Sequence, residues 1–404
     1  MMRAGAALAA VAAFGATVAA QAQEFSLEGF GDFKLLRPGN QQSWTDGGLG
    51  KISFGGAGHR SPDAKFFQGI AEATAQLTED FTTIATLRVA PDLDRAVDLL
   101  DAYARYRPVS TTPLRLSFKL GAFFPPVSLE NDGIGWASSW TPTPSAINTW
   151  VGEELRTIGG EAKAEWRFDD GAIEAVAAIY GWNQFAGTML ADRGWSFGDQ
   201  PTGLFGKLRL PDAGAIRQHR PIPQFGDPFT AIENTPGWYG GLSWRETGLG
   251  QISLLQYDNR ANPAAFEQGE FAWRTDFTSL GLQTRFDDFV FIGQAMNGET
   301  EIKPTPTVDS ITHFQSAFLL VGWELGDWHP AARIDFFSTH VHPNPALSEH
   351  GRALTLAVNW SPLQWLRLSG EALRVDSTRA QRATVGLDPQ VGETQLQLRA
   401  QLYF

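Results

Sequence analysis

The sequence contains no cysteine, and after the first 22 residues no apolar run approaches the length of a membrane-spanning helix. Without thiols there is neither a disulfide nor a thiolate zinc site. A spanning helix needs about 20 mostly apolar residues. If this chain crosses a membrane, it therefore does so as a closed β-barrel, the other fold that satisfies every backbone group in lipid. The formal net charge of −12 argues against nucleic acid as a partner.

The composition that is present fits a large barrel. The chain has 42 glycines, 12% aromatic residues and 43% hydrophobic residues, with a mean hydropathy of −0.19. That is too polar for a helical membrane protein, but half of the strand positions in a barrel face water. A secreted soluble all-β protein is the alternative at this stage.

The first 22 residues have the organisation of a secretory signal peptide. A short basic segment, Met1–Arg3, precedes the alanine-rich run Ala4–Ala20, and Ala20-Gln21-Ala22 matches an A-x-A cleavage site. We therefore expect residues 1–22 to be removed and residues 23–404 to form the mature domain.

In the last stretch of the chain, Gly392 to Phe404, apolar and polar side chains alternate from Gln395 to the last residue. Leu396, Leu398 and Leu402 fall on one face of an extended strand, with glutamines on the other. The alternation continues to a terminal aromatic residue, although chain ends usually fray. This ending resembles the assembly signal of bacterial outer-membrane β-barrels, whose last strand closes against the first.

Segments with the same two-residue period recur along the chain, and the connections between them alternate in length. Short turns on one side and long polar loops on the other are typical of an outer-membrane barrel. The sequence predicts an all-β, transmembrane antiparallel β-barrel with 18 strands if Ala215–Arg220 is a strand and 16 if it is not, and 18 is preferred. The predicted strands are Phe25–Leu35, Phe67–Leu77, Phe81–Val89, Ala96–Arg107, Leu114–Ala122, Ala162–Phe168, Ile173–Ile179, Leu204–Leu210, Ala215–Arg220, Trp238–Arg245, Gln251–Asn259, Ala272–Phe286, Phe289–Met296, His313–Glu324, Ala331–Thr339, Ala353–Trp360, Trp365–Val375 and Leu396–Phe404.

Long connections are predicted to be extracellular, and short turns periplasmic. The long set is residues 37–63, 124–156, 185–200, 221–236, 260–270, 297–311, 340–350 and 376–391. Aromatic pairs bracket several short turns, as expected for rings at a membrane interface. These pairs are Trp166 and Phe168, Phe286 and Phe289, Trp323 and Trp328, and Trp360 and Trp365.

Residues 121–130, Gly-Ala-Phe-Phe-Pro-Pro-Val-Ser-Leu-Glu, resemble a segment of the phosphate-selective porin O and P type. The preceding strand, residues 101–108, and the continuation, residues 143–154, are similar to porins of the same broad superfamily. The resemblance implies that this segment opens a loop that folds into the pore, and it implies a trimer. Basic residues line the constriction in that family, whereas residues 124–156 contain four acids and only Arg156 as a cation.

We therefore predict that loop 124–156 folds inward and narrows the lumen. The acidic candidates on this loop are Glu130, Asp132, Glu153 and Glu154. The facing basic wall is predicted to consist of Arg88, Arg105, Arg107, Arg115, Lys119, Lys163 and Arg167. Opposed charged faces set a transverse field that favours small polar solutes. The alternative for each residue is a solvated lumen position without a selective role.

Catalytic and cofactor signatures are absent. There is no G-x-S-x-G elbow, Walker motif or dinucleotide glycine fingerprint. His340, His342 and His350 lie close in sequence, but their spacing fixes no third metal ligand. We predict no metal, no cofactor and no enzymatic activity.

Taken together, these patterns predict an outer-membrane porin, a passive diffusion channel for small polar or charged solutes with a charged constriction. The alternative is an outer-membrane barrel with a non-channel role, such as an adhesin, an enzyme or a polymer exporter. The expected partners are outer-membrane lipid, lipopolysaccharide and small solutes. The resemblance implies a homotrimer, and a monomer is the alternative for a self-contained barrel of this size.

Overall fold

The alternating segments pair into one closed antiparallel sheet. The structure is a computed structural model that describes residues 23–55, 63–213, 224–267 and 269–404, and its barrel has 16 strands. The expected signal peptide, residues 1–22, lies outside the described residues. The strands, labelled β1 to β16 in order, are Glu24–Arg37, Asp63–Gln76, Phe81–Val89, Val97–Tyr106, Leu114–Phe123, Thr157–Phe168, Gly171–Gly181, Gly237–Glu246, Gly250–Asp258, Arg274–Phe286, Phe289–Thr305, Val308–Trp323, Trp328–His342, Glu349–Leu363, Leu366–Arg379 and Gln390–Tyr403.

The last strand closes the barrel. β16 pairs antiparallel with β15 and with β1, where Lys34 lies opposite Arg399. Leu398 on its apolar face is 60% exposed, whereas Gln397 on its polar face is 3% exposed. The apolar face therefore points away from the barrel axis, and the polar face points inward. This is the arrangement that hydrocarbon outside a barrel requires.

The preferred count of 18 strands is wrong, because the barrel passes directly from β7 to β8. Within the predicted strand Leu204–Leu210, only Leu208–Arg209 is extended, and it pairs with Phe225–Gly226 outside the barrel. Leu208 and Leu210 are buried against Phe185 in a small apolar cluster. Their alternation therefore arises from burial inside a loop and does not mark a strand of the barrel wall. The predicted strand Ala215–Arg220 lies outside the described residues.

The prediction that residues 297–311 form a long loop is also wrong. β11 continues to Thr305 and β12 begins at Val308, so two residues connect them. The outward positions at this end are polar, and Lys303 pairs with Glu301 at 2.7 Å and with Asp309 at 3.3 Å. The strands therefore extend beyond their apolar band, where the apolar alternation no longer marks them.

Aromatic rings cluster on the outer face at the short-turn end. The ring of Phe289 stacks on Trp323 at a centroid distance of 5.5 Å, and Trp328 stacks on Trp360 at 5.2 Å. Each pair joins neighbouring strands in direct register. An amphipathic indole at this height suits the boundary between hydrocarbon and headgroups.

Helical segments lie in the long connections. The α-helices are α1, Ala146–Glu154, and α2, Thr188–Asp192, and the 3₁₀ helices are Trp44–Asp46, Ile134–Trp136, Pro345–Leu347 and Ala380–Val385. No helix among the described residues is long and apolar enough to cross a membrane. α1 packs inside the barrel, where Trp150 joins a buried apolar cluster with inward-facing strand residues.

Candidate functional site

Loop 124–156 lies across the interior of the barrel. Ser145 caps α1, because its side chain accepts a hydrogen bond from the backbone N–H of Asn148. All nine residues of α1 are buried. A helix this short has little stability of its own, so packing against the barrel wall holds it in place.

The first anchor of the loop is an ion pair with β13. The Arg333 guanidinium lies 2.6 Å from a carboxylate oxygen of Glu130, and both side chains are fully buried. Arg333 also donates to the backbone oxygens of Thr143 and Pro144 at 2.8 and 3.0 Å. Its second carboxylate partner is Asp335, at 2.9 Å on the same inward face of β13. Arg333 therefore holds two separate parts of the loop against the barrel wall, Glu130 and the backbone of Thr143 and Pro144.

A second anchor joins the loop to the next three strands. Thr143 donates to Glu371 of β15 from its backbone N–H at 2.9 Å and from its hydroxyl at 2.6 Å. Gln397 of β16 donates to the Thr143 hydroxyl at 3.0 Å. Asn359 of β14 donates to the backbone oxygen of Trp140 at 2.7 Å. The loop thus spans from β5 and β6 to the opposite wall.

A second inward segment, residues 182–202, packs on α1. Glu154 accepts hydrogen bonds from the backbone N–H groups of Gly187 and Met189 at 3.0 and 2.9 Å. Glu153 pairs with Arg193 at 2.6 Å. Burial of the Glu154 carboxyl raises its pKa to about 7, against these hydrogen bonds that lower it. The sequence predicted residues 185–200 only as a long connection.

The acidic candidates do not face the basic wall across an open gap. Glu130, Glu153 and Glu154 are buried and bonded within the packed interior. Asp132 is the exposed member, and it accepts a hydrogen bond from Ser139 at 2.6 Å. The prediction that the four acids line one pore face therefore needs correction. Buried carboxylates require partners, and α1 brings these to arginines and backbone N–H groups.

Most of the basic candidates face inward but stand beside acids. Lys119 lies 3.4 Å from Glu161, Lys163 lies 2.8 Å from Glu174, and Arg167 lies 2.6 Å from Glu165. This wall is therefore a mixed-charge surface and not a purely basic one.

The other basic candidates fall into three environments. Arg105 and Arg115 are half-buried on β4 and β5 and lie opposite Lys119 and Glu165 in the ladder. Arg88 is buried and donates to the backbone oxygen of Pro201. Arg107 follows the end of β4 and is exposed at the short-turn end, where it cannot face the loop.

Several basic residues that contact the inward segments were not predicted from the sequence. Besides Arg333, these include Lys34, which pairs with Asp199, Lys51, which donates to the backbone oxygens of Arg193 and Trp195 at 3.0 Å, and Arg379, which donates to the backbone oxygen of Asp192 at 2.9 Å. The sequence carried one signal for Arg333, since Arg333 and Asp335 alternate with apolar residues and must share the inward face. The loop carboxylate that meets them depends on strand positions that a single sequence does not fix.

Cavities follow one another along the interior. One of about 750 Å³ opens at the long-loop end and is lined by Arg88, Arg95, Lys207 and Asp94. A second, of about 20 Å³, lies against Gln68, Asn148 and Arg399. Both touch Gly198, Gln200 and Pro201, so this backbone segment separates them. A recess of about 220 Å³ lies on the other side of the loop beside Lys163, Glu174 and Arg245.

The loop histidines do not form a metal site within the described residues, where no group of three or more His, Cys, Asp or Glu side chains is placed to hold an ion. His340 and His342 are exposed on the outward face of β13, and His350 is exposed at the start of β14.

Comparisons with solved structures identify the fold. An anion-selective porin from Comamonas acidovorans matches with a TM-score of 0.56 and 12% identity, over 94% of this chain and 99% of that one. The outer membrane channel DcaP of Acinetobacter baumannii matches with a TM-score of 0.55 and 10% identity, over 94% and 97% of the two chains. A loop-deletion form of OmpT, an outer membrane protein of Vibrio cholerae, matches with a TM-score of 0.55 and 9% identity, over 94% and 99%. No protein-family model and no curated protein sequence matches this chain.

These likenesses confirm a porin fold, a closed antiparallel barrel of 16 strands. They do not confirm membership in the phosphate-selective O and P type. The prediction that the chain is not an enzyme is wrong, because it excluded a function that the structural neighbours do not exclude. Neighbours such as OmpT are described only as outer membrane proteins, and a shared fold does not settle chemistry, so catalysis is not excluded.

Proposed function

We propose that this protein is a passive outer-membrane diffusion channel for small polar or charged solutes. The observation that carries the proposal is the set of cavities inside the barrel that charged side chains help to line, on either side of loop 124–156 and residues 198–201. A barrel of 16 strands is wide enough to hold an aqueous passage. The charges that line the cavities suit polar solutes and disfavour apolar ones.

Several finer features belong to the same proposal. Residues 1–22 act as the signal peptide, and loop 124–156 forms the charged constriction. The resemblance of residues 121–130 supports a place in the wider superfamily of the phosphate-selective porin O and P type. The protein assembles as a homotrimer in contact with lipid and lipopolysaccharide. In support of this assembly, a trimer form of Vibrio cholerae OmpT, with a TM-score of 0.52, is among the structural neighbours.

Liposome swelling tests the channel directly. Purified protein is reconstituted into liposomes, and its fold is verified by faster migration of the unboiled sample on a gel. We expect swelling in an isosmotic solution of a small polar solute at a rate proportional to the protein added. Protein that was heat-unfolded before reconstitution is the control. Folded, inserted protein that leaves the swelling rate at the level of empty liposomes would contradict the proposal.

A further inference from the structure

The cavity of about 20 Å³ lies between α1, residues 198–201 and the wall formed by β2 and β16. A cavity of this size holds about one water molecule. It therefore accommodates one hydroxyl group at a time, and passage of a larger solute must displace residues 198–201. Every solute that enters it from the cavity of about 750 Å³ meets the groups that line it.

Two buried amide oxygens at this cavity have no hydrogen bond among the described residues, Oε1 of Gln68 and Oδ1 of Asn148. Gln68 is 2% exposed and Asn148 is fully buried. Nδ2 of Asn148 donates to Glu130 at 2.9 Å, which orients its amide, and Nε2 of Gln68 makes one weak hydrogen bond, to the Asp199 backbone oxygen at 3.4 Å. An acceptor without a partner is costly inside a protein, so these oxygens suit a ligand with hydrogen-bond donors.

Donors without partners line the same cavity. Nε of Arg399 and Nε2 of Gln200 make no hydrogen bond to the described part of the chain. Nη2 of Arg399 is occupied by Asp32 at 2.8 Å, which leaves Nε as its free donor. The cavity thus offers both acceptors and donors, and a hydroxyl group is the simplest chemical group that serves both.

The charges around the cavity cancel in pairs. Asp32 is paired with Arg399, and Lys34 is paired with Asp199. Two positive and two negative groups leave no net charge at this point of the passage. A paired set favours neither cations nor anions, unlike a ring of one sign.

Apolar surfaces complete the lining. The cavity is flanked by Pro142, Pro144, Pro201 and Trp136. The indole of Trp136 donates to the backbone oxygen of Asn148 at 2.8 Å and stacks on Phe124 at a centroid distance of 4.4 Å. It is therefore held rigidly, and a flat apolar surface beside free donors and acceptors suits a solute with C–H faces and hydroxyl edges.

We propose that Gln68, Asn148 and Arg399 form a hydrogen-bonding subsite that selects small uncharged polyhydroxylated solutes, such as pentoses and their alcohols. The subsite rests on the proposed channel function and names its solute class. Gln68 is the member to test, because its side chain has a single weak bond to the inward segments, whereas Asn148 helps to anchor the loop.

The test compares Gln68→Met with Gln76→Met in liposome swelling. Gln76 lies on the same inward face of β2 but does not line the cavity. The probes are arabinose, asparagine and gluconate, which are neutral, zwitterionic and anionic solutes of similar size. We expect the unmodified protein to pass arabinose fastest. Gln68→Met should slow arabinose by roughly threefold to tenfold, the factor that one hydrogen bond contributes, whereas Gln76→Met should leave the arabinose rate unchanged.

The outcomes separate the two proposals. A loss confined to arabinose and to Gln68→Met supports the subsite. Equal arabinose rates in Gln68→Met and the unmodified protein overturn it, as does faster passage of asparagine or gluconate than of arabinose. If the folded protein passes none of the probes and carries no ionic current, the channel function itself fails, and the subsite fails with it.

Discussion

Replacing Arg333 by alanine removes the main attachment of loop 124–156 to the far wall of the barrel. In the ion pair between Arg333 and Glu130, Arg333 belongs to the barrel wall and Glu130 belongs to the loop. Both side chains are fully buried. Glu130 keeps its bonds within the loop, to the backbone N–H of Ser145 at 3.0 Å and to Asn148 at 2.9 Å. The loop should therefore keep its local fold but be held across the lumen less firmly, by the contacts of Thr143 and Trp140 with β14 to β16.

The size of the effect follows from burial. Removing one partner of a buried ion pair costs about 3–5 kcal/mol, because the remaining charge is left uncompensated. At 1.4 kcal/mol per factor of ten, this shifts the loop between its anchored and released positions by about a hundredfold to several thousandfold. A release of that size exposes the passage that the loop now covers.

Single-channel recording in a planar bilayer measures the change. We expect Arg333→Ala to show a severalfold higher mean conductance with frequent transitions between levels. The matched control is Arg285→Ala, which breaks an exposed pair with Glu324 at the short-turn end and should change little, since such pairs contribute about 0–1 kcal/mol. A folded Arg333→Ala protein with the conductance and noise of the control would refute the role given to this anchor.

Three further predictions follow from the same structure. Deletion of Asp132–Ser145 should raise conductance severalfold, and unchanged conductance would place the loop outside the passage. Because burial raises the pKa of Glu154 from 4.5 to about 7, the folded protein binds more protons than the unfolded chain between these values. The Glu154 contribution to stability in detergent should therefore fall by up to about 3 kcal/mol as pH rises through this window; thermal unfolding should show a smaller slope in Glu154→Gln than in the unmodified protein, where the rest comes from groups such as Glu270, whose pKa burial also raises to about 7. Leu398→Arg places a charge on the lipid-facing surface and should destabilise the barrel in lipid by about 2–4 kcal/mol. Gln390→Arg, at the loop end of the same strand, should cost less, and equal denaturant midpoints for the two would contradict the lipid-facing assignment.

The barrel wall is the part of the fold that sequence predicts best. A strand that faces lipid on one side and water on the other must alternate, and residues 395–403 of β16 show that alternation without interruption. The rule failed where burial has another cause. Leu208 and Leu210 alternate because they pack inside a loop, and residues 297–311 lack the pattern because their strands extend past the apolar band.

The interior was predicted less well than the wall. Sequence located loop 124–156 and most of the inward-facing basic residues on β3 to β6. It did not pair Glu130 with Arg333, about 200 residues away, because that contact depends on the position at which the loop crosses the barrel. The cavity at Gln68 and Asn148 was missed for the same reason, since the environment that the two residues share exists only after the barrel closes.

The most direct test of the channel account is the ionic current carried by the unmodified, folded protein in a planar bilayer. The account predicts discrete conductance steps that appear only after insertion. It also predicts a reversal potential near zero across a potassium chloride gradient, because the charges at the small cavity cancel in pairs. A membrane that contains verified protein and stays silent would contradict the passage, and a strong preference for one ion would contradict the paired charges at its narrow point.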